Sequence, residues 1–154
     1  TAMGRYPIES IKIMKRIIMY TQENAKVTAS FTDGHTASVT EAIALTVIDL
    51  AGNVGAVAIV AETKTGATAR AIAGGRPKVP LIVVTPDSRV AQQLALLHGT
   101  KTYVRPDDRM AATKLTDWLR TESIFKKGDV IVAASGRHPG TPGGTDTIKV
   151  RVFE

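Results

Sequence analysis

Ala56-Val57-Ala58-Ile59-Val60-Ala61-Glu62-Thr63-Lys64-Thr65-Gly66-Ala67-Thr68-Ala69-Arg70 sets an apolar run directly against a turn of hydroxyls, charge and glycine. The spacing predicts a buried strand over 56–61 and a helix over 67–73. A strand that ends in hydroxyls and glycine at the start of a helix is a place to hold a phosphate. The helix N-terminus offers unpaired N–H groups and a partial positive charge. Gly66 lets the backbone approach closely. Thr63, Thr65 and Thr68 add hydroxyl donors, Lys64 and Arg70 add full charge, and Ala67 opens the helix. The alternative is an ordinary strand-to-helix turn in which Thr65 or Thr68 caps the helix.

Outward from this stretch, strands and helices alternate. Towards the N-terminus, Pro7 suits a first helical position and Glu9 the first turn. Ile8, Ile11, Met14, Ile17 and Ile18 recur at helical spacing, so a helix is expected to run to about residue 23. Residues 24–35 are polar and without periodicity, which reads as a linker. Ser38-Val39-Thr40-Glu41 fits a capping box for a second helix that stops at Gly52.

Towards the C-terminus, Gly74-Gly75 and Pro77 end the helix that follows the turn. Then come a strand over 81–84, a helix over 88–98 capped from Asp87, a short strand over 101–104 and a helix over about 110–125. A Lys126-Lys127-Gly128-Asp129 turn, a strand over 130–134, a glycine- and proline-rich loop over 135–146 and a strand over 147–153 complete the chain. Ile148, Val150 and Val152 alternate with Lys149, Arg151 and Phe153. Short apolar strands separated by helices predict an α/β fold, a parallel sheet covered on both faces. The last two strands have no helix between them, so they are expected to be antiparallel, the last at an edge.

Composition bounds the function. The chain of 154 residues is long enough for one domain with a real core, and 44% hydrophobic and 22% charged residues are those of a globular protein. No apolar run reaches the length of a membrane span. Without cysteine there is neither disulfide nor thiolate metal site, which fits a cytoplasmic protein. The net charge of +6 is scattered and aromatics make up 5%, which argues against nucleic acid and suits a small phosphorylated ligand. The start at Thr1 points to a fragment or a processed product.

Candidate catalytic chemistry is sparse. His35, His98 and His138 lack metal-ligand spacing, and no nucleophile–base pair stands out. His98 beside Gly99 reads as a helix C-terminal residue. Asp107-Asp108 reads as a pair of capping and dipole partners at a helix start. No catalytic residue and no metal site is assigned.

Several short motifs together resemble the pyruvate kinase family. Thr1-Ala2-Met3-Gly4-Arg5-Tyr6-Pro7-Ile8-Glu9-Ser10 resembles T-A-x-G-x-Y-P-x-E-A, and Ser38-Val39-Thr40-Glu41-Ala42 resembles the start of the first long C-terminal-domain helix. The 63–69 stretch is similar to the effector loop T-x-[ST]-G-x-[ST]-A. Val84-Thr85-Pro86, Ala91-Gln92-Gln93-Leu94, the K-K-G-D turn at 126–129 and the tail from Pro139-Gly140 to Val150 follow in the family's order.

The resemblance implies that residues 1–23 are the final loop and helix of a catalytic (β/α)₈ barrel. It also implies that residues 24–154 are the C-terminal allosteric and oligomerisation domain. That domain is expected to be a three-layer αβα sandwich, with a five-stranded sheet in the order 3-2-1-4-5 whose last strand is antiparallel. The parent enzyme would transfer phosphate from phosphoenolpyruvate to ADP with Mg²⁺ and K⁺. Its catalytic and metal-binding residues would lie upstream of Thr1, so this chain alone would be inactive and carry no cofactor.

Residues Thr63, Lys64, Thr65, Gly66, Ala67, Thr68 and Arg70 match the effector loop. Gly136, Arg137, His138, Pro139, Gly140 and Thr141 match the loop that closes over the effector, with Arg137 and His138 facing the ligand. The alternative for the second loop is a solvated connection. Family members that bind fructose 1,6-bisphosphate often carry a longer segment before the K-K-G-D turn, with a tryptophan and an arginine. Here that segment is short and Trp118 falls within a helix, expected to pack in an interface or core. A sugar monophosphate or AMP is therefore favoured. The expected partners are the rest of the enzyme chain and further copies, meeting through the 110–125 helix and the 147–153 strand. A free-standing phosphate- or nucleotide-binding module is the rival reading. A small phosphotransfer enzyme would need a base near Thr65 and a metal site, and neither appears.

Overall fold

Four short runs that the sequence places after helices become neighbouring strands. The computed structural model describes residues 3–24, 38–108, 110–136 and 144–154. The elements are α1 (Pro7–Asn24), α2 (Val39–Asn53), β1 (Ala58–Glu62), α3 (Ala67–Gly74), β2 (Leu81–Thr85), α4 (Ser88–Leu94), β3 (Thr100–Val104), α5 (Ala111–Thr121), β4 (Val130–Ser135) and β5 (Thr147–Val152). They fall into two units, Thr1–Ser30 and Phe31–Glu154.

In the second unit the sheet order is β3-β2-β1-β4-β5. All pairs are parallel except β4 with β5, whose register runs from Val130↔Val152 to Ser135↔Thr147. This is the expected α/β architecture.

Both faces of the sheet are covered. Ile59, Ala61, Leu81, Val83, Val132 and Ala134 pack against α2, α3 and α4. Ala58, Val60, Ile82, Val84 and Ile131 face Ala111, Ala112, Leu115 and Leu119 of α5. Phe125 and Phe153 extend that second core, their rings stacked with centroids 5.1 Å apart. β1 and β2 are buried on both faces, as parallel strands under two helix layers must be. Ile148, Val150 and Val152 share one face of β5. Ile148 joins the α2 side of the core, whereas Val150 and Val152 stay exposed.

Connectivity fixes where a ligand can sit. The chain moves outward from β1 through α3 to β2 and through α4 to β3. It then returns through α5, on the opposite face, to β4. The direction of winding therefore reverses between β1 and β4, and their C-terminal ends open at that switch point.

Several boundaries shift from expectation, each for a local reason. α2 continues past Gly52, because left-handed Gly55 carries its end: Gly55 N–H donates to Gly52 O and Ala56 N–H to Ala51 O. Ala56 belongs to that turn, so β1 starts at Ala58. α4 ends at Leu94, where bonds to the third residue back (Leu96 to Gln93, Leu97 to Leu94) tighten the chain, so His98 lies beyond the helix. α5 ends at Thr121, since Ser123 at φ 60° takes the left-handed place that glycine usually fills. Ile124 N–H donates to Leu119 O there. Phe125 is core but outside the helix.

α1 forms over the predicted residues. Ile8, Ile11, Met14, Ile17 and Ile18 remain 52–63% exposed, so its apolar stripe is not buried. The expected linker, 24–35, lies outside the described residues apart from Asn24, which is the last residue of α1.

Candidate functional site

The turn after β1 is held by its own first hydroxyl. Thr63 continues the strand by donating its N–H to Val84 O at 3.1 Å. Its side-chain oxygen then accepts the Gly66 N–H at 2.9 Å, closing a tight turn. Gly66 stands at the N-cap of α3 in the left-handed conformation, φ 85°. A Cβ there would be strained, and would lie 3.1 Å from both Arg70 Nη1 and Leu94 Cδ2. No side chain caps α3. The first intrahelical bond is Arg70 N–H to Gly66 O at 2.9 Å. The N–H groups of Ala67, Thr68 and Ala69 therefore have no acceptor within the helix. Neither Thr65 nor Thr68 caps the helix, so the simple capping alternative does not hold.

The remaining candidate residues divide by burial and partner. Thr65 and Ala67 are exposed, whereas Thr63 and Thr68 are buried. The Thr68 hydroxyl lies 2.5 Å from the Thr145 hydroxyl, on the segment leading into β5. Arg70 folds back over the turn: Nη1 donates to Thr65 O at 3.0 Å and Nη2 to Gln93 Oε1 of α4 at 2.9 Å. Its cation is thus braced beside the open helix end. Lys64 instead pairs with Asp107 at 3.0 Å, on the side of the sheet that carries α5. Both partners are 44–46% exposed, so the pair holds Lys64 only weakly.

The α5 side of this edge brings three carboxylates together with two lysines, Lys64 on Asp107 and Lys114 on Asp108. Glu62 is half-buried and its Oε2 accepts the Ala112 N–H at 3.4 Å. Burial pushes the Glu62 carboxyl up from its ordinary value, and the negative charges of Asp107 and Asp108 push the same way, against that hydrogen bond. Asp108 lies below the usual carboxylate range because Lys114 and the Met110 N–H bind it. Asp108 accepts the Met110 N–H just ahead of α5 and Asp107 pairs with Lys64, but no side chain caps α5, so the expected capping by this pair does not form.

The second predicted segment is placed in part. Gly136 sits where the chain leaves β4. A Cβ on it would collide with the carbonyl of Gly144, and Asp146 N–H donates to Ser135 O at 3.2 Å, so the ends of this loop lie against each other. Arg137, His138, Pro139, Gly140 and Thr141 lie outside the described residues.

Trp118 is not core. It is 40% exposed on α5, edge-on to Tyr103 at 5.8 Å, with the Arg105 guanidinium 5.0 Å from its ring centroid. Among the described residues no three of His, Asp and Glu are grouped to hold a metal.

Thr145 and Gln93 are the site neighbours that sequence reasoning missed. Thr145 is separated from Thr68 by 77 positions, and only the β1–β4 adjacency joins them. Gln93 lay within a quoted motif, but only the packing of α4 beside α3 reveals its hold on Arg70.

The sheet and its strand–glycine–helix junction define an open α/β domain with an uncapped helix end at its switch point. The family model described as "Pyruvate kinase, alpha/beta domain" matches residues 41–151. The chain is 32% identical over 157 residues to Pyruvate kinase 2 of Synechocystis, with 100% of this chain and 26% of that protein covered. It is 33% identical over 160 residues to the pyruvate kinase of Geobacillus stearothermophilus, covering 99% and 27%. The Clostridium acetobutylicum pyruvate kinase is 31% identical over 161 residues, covering 100% and 34%. The chain belongs to the pyruvate kinase family, and it spans about a quarter to a third of the length of these curated relatives.

Proposed function

We propose that this chain is the C-terminal regulatory part of a pyruvate kinase, and that residues 63–70 hold the phosphate of a small phosphorylated effector. The observation that carries the reading is the uncapped N-terminus of α3 with Arg70 braced beside it. A phosphate there would accept the N–H groups of Ala67, Thr68 and Ala69. The Thr65 and Thr68 hydroxyls and the Arg70 guanidinium would add further donors, each charge-assisted by the anionic acceptor. Lys64 could swing from Asp107 to the phosphate at little cost, since an exposed ion pair is worth about 0–1 kcal/mol. The non-phosphate part of the effector would then face the 136–141 loop.

In this reading the longer enzyme is a cytoplasmic phosphotransferase of glycolysis, making pyruvate and ATP from phosphoenolpyruvate and ADP. Its Mg²⁺ and K⁺ would act in the barrel. Residues 1–23 would be the barrel's last loop and helix, where the Ile and Met stripe of α1 would find its cover. Copies would meet through α5 and the open edge of β5. An effector would change activity only as far as it binds one subunit arrangement better than another. The segment before the 126–129 turn is short, so a sugar monophosphate or AMP is preferred to a bisphosphate.

Calorimetric titration with glucose 6-phosphate, ribose 5-phosphate, AMP and fructose 1,6-bisphosphate tests this. Saturable binding of a monophosphate is expected, weakened about tenfold in Thr65→Ala and in Thr68→Ala, the scale of one hydrogen bond to a charged group. A folded chain that binds none of the four would overturn the reading.

A further inference from the structure

The buried hydroxyl pair Thr68–Thr145 has more hydrogens than the arrangement uses. Each side chain carries one O–H donor and two lone pairs. The pair is 2.5 Å apart, with Thr68 4% and Thr145 7% exposed, and it is the single hydrogen bond of either hydroxyl among the described residues. One of the two hydrogens therefore makes the bond and the other is left over. If Thr68 donates, the spare hydrogen is on Thr145, inside the loop base. If Thr145 donates, the spare hydrogen is on Thr68, in the first turn of α3 where the backbone N–H groups are open.

We infer that Thr145 is a positioning residue for phosphate binding, donating to Thr68 so that the Thr68 hydroxyl hydrogen is turned to the ligand. The inference rests on the reading of residues 63–70 as a phosphate loop. A phosphate selects the second arrangement, because it supplies the acceptor that the Thr68 hydrogen lacks. The resulting chain, Thr145 to Thr68 to phosphate, polarises each bond in the same sense.

Thr145 also fixes the side-chain rotamer. A helical threonine without such a partner can turn its hydroxyl back to a carbonyl one turn earlier, where it is lost to a ligand. The same bond ties α3 to the segment that enters β5. Phosphate binding and the seating of the edge strand are thereby linked through two hydroxyls.

The test is calorimetry of the 154-residue chain with glucose 6-phosphate and with inorganic phosphate. It compares the native protein, Thr65→Ala, Thr145→Val and Thr145→Ser, with circular dichroism to confirm that each is folded. Thr145→Val keeps the shape and removes the donor, and Thr145→Ser restores it. The expected result is about fivefold weaker binding in Thr145→Val, the scale of one neutral hydrogen bond, and binding within about twofold of native in Thr145→Ser. Native-like or tighter binding by folded Thr145→Val, with Thr65→Ala still weakened, overturns the role of Thr145 alone. Equal weakening in the Val and Ser variants overturns it as well, since the hydroxyl would then be irrelevant. Absence of saturable binding by the native chain overturns the phosphate-loop reading and the inference with it.

Discussion

Two helices begin side by side at the C-terminal edge of the sheet, and they treat their free N–H groups in opposite ways. α4 follows β2 and starts at Asp87, whose Oδ1 accepts the N–H groups of Arg89 at 2.7 Å and Val90 at 3.3 Å. α3 follows β1 and starts at left-handed Gly66, with no side-chain cap. One helix end carries its own anion. The other leaves its first turn open and has an arginine braced beside it. The protein gives up a cap worth about 1 kcal/mol at α3 while using one at α4. In the proposed reading, that asymmetry leaves the first junction to an external anion and closes the second.

The largest effect is expected where the open junction depends on glycine. Gly66→Ala forces a side chain into a left-handed site and against Arg70 and Leu94. It should lower unfolding free energy in urea by about 1–2 kcal/mol and abolish detectable phosphate binding. Full binding in this variant would break the contrast. Next, Asp87→Ala removes the built-in anion of α4. A loss of about 1 kcal/mol of stability is expected, with phosphate affinity at residues 63–70 unchanged. A weakened affinity would mean that the two junctions are not independent.

The smallest effect concerns Glu62, whose folded carboxyl titrates above its unfolded value of about 4.5. In that window the folded state holds the proton more tightly, so this group's contribution falls as pH rises from about 4.5 through the folded value. Glu62→Gln keeps an acceptor for Ala112 N–H and removes the charge. It should flatten the loss of stability over that window, read from urea unfolding at several pH values. An unchanged slope would show that Glu62 is not the group responsible.

Much of this was legible in the sequence, for physical reasons that differ by residue. The capping box of α2 was read from Ser38 and Glu41. It forms as expected, with Glu41 N–H on Ser38 Oγ at 3.3 Å and Ser38 N–H on Glu41 Oε2 at 2.7 Å. Asp87 was equally readable, because a cap is local. The end of α5 was not, because Ser123 adopts a conformation that sequence reading expects of glycine. The glycine turn after β1 was recognisable from residue types alone. The division of its side chains was not. Lys64 meets Asp107, Arg70 meets Gln93 and Thr68 meets Thr145 only once the sheet has brought separate segments together. α1 shows the converse: its apolar period predicts the helix correctly, yet the stripe stays exposed.

Amide chemical shifts during titration with glucose 6-phosphate compare the two junctions in one experiment. Saturable shifts are expected for Gly66, Ala67, Thr68 and Ala69, with Arg89 and Val90 unmoved. Shifts at Arg89 and Val90 instead, or none at residues 66–69 in a folded chain, would contradict that contrast between the junctions.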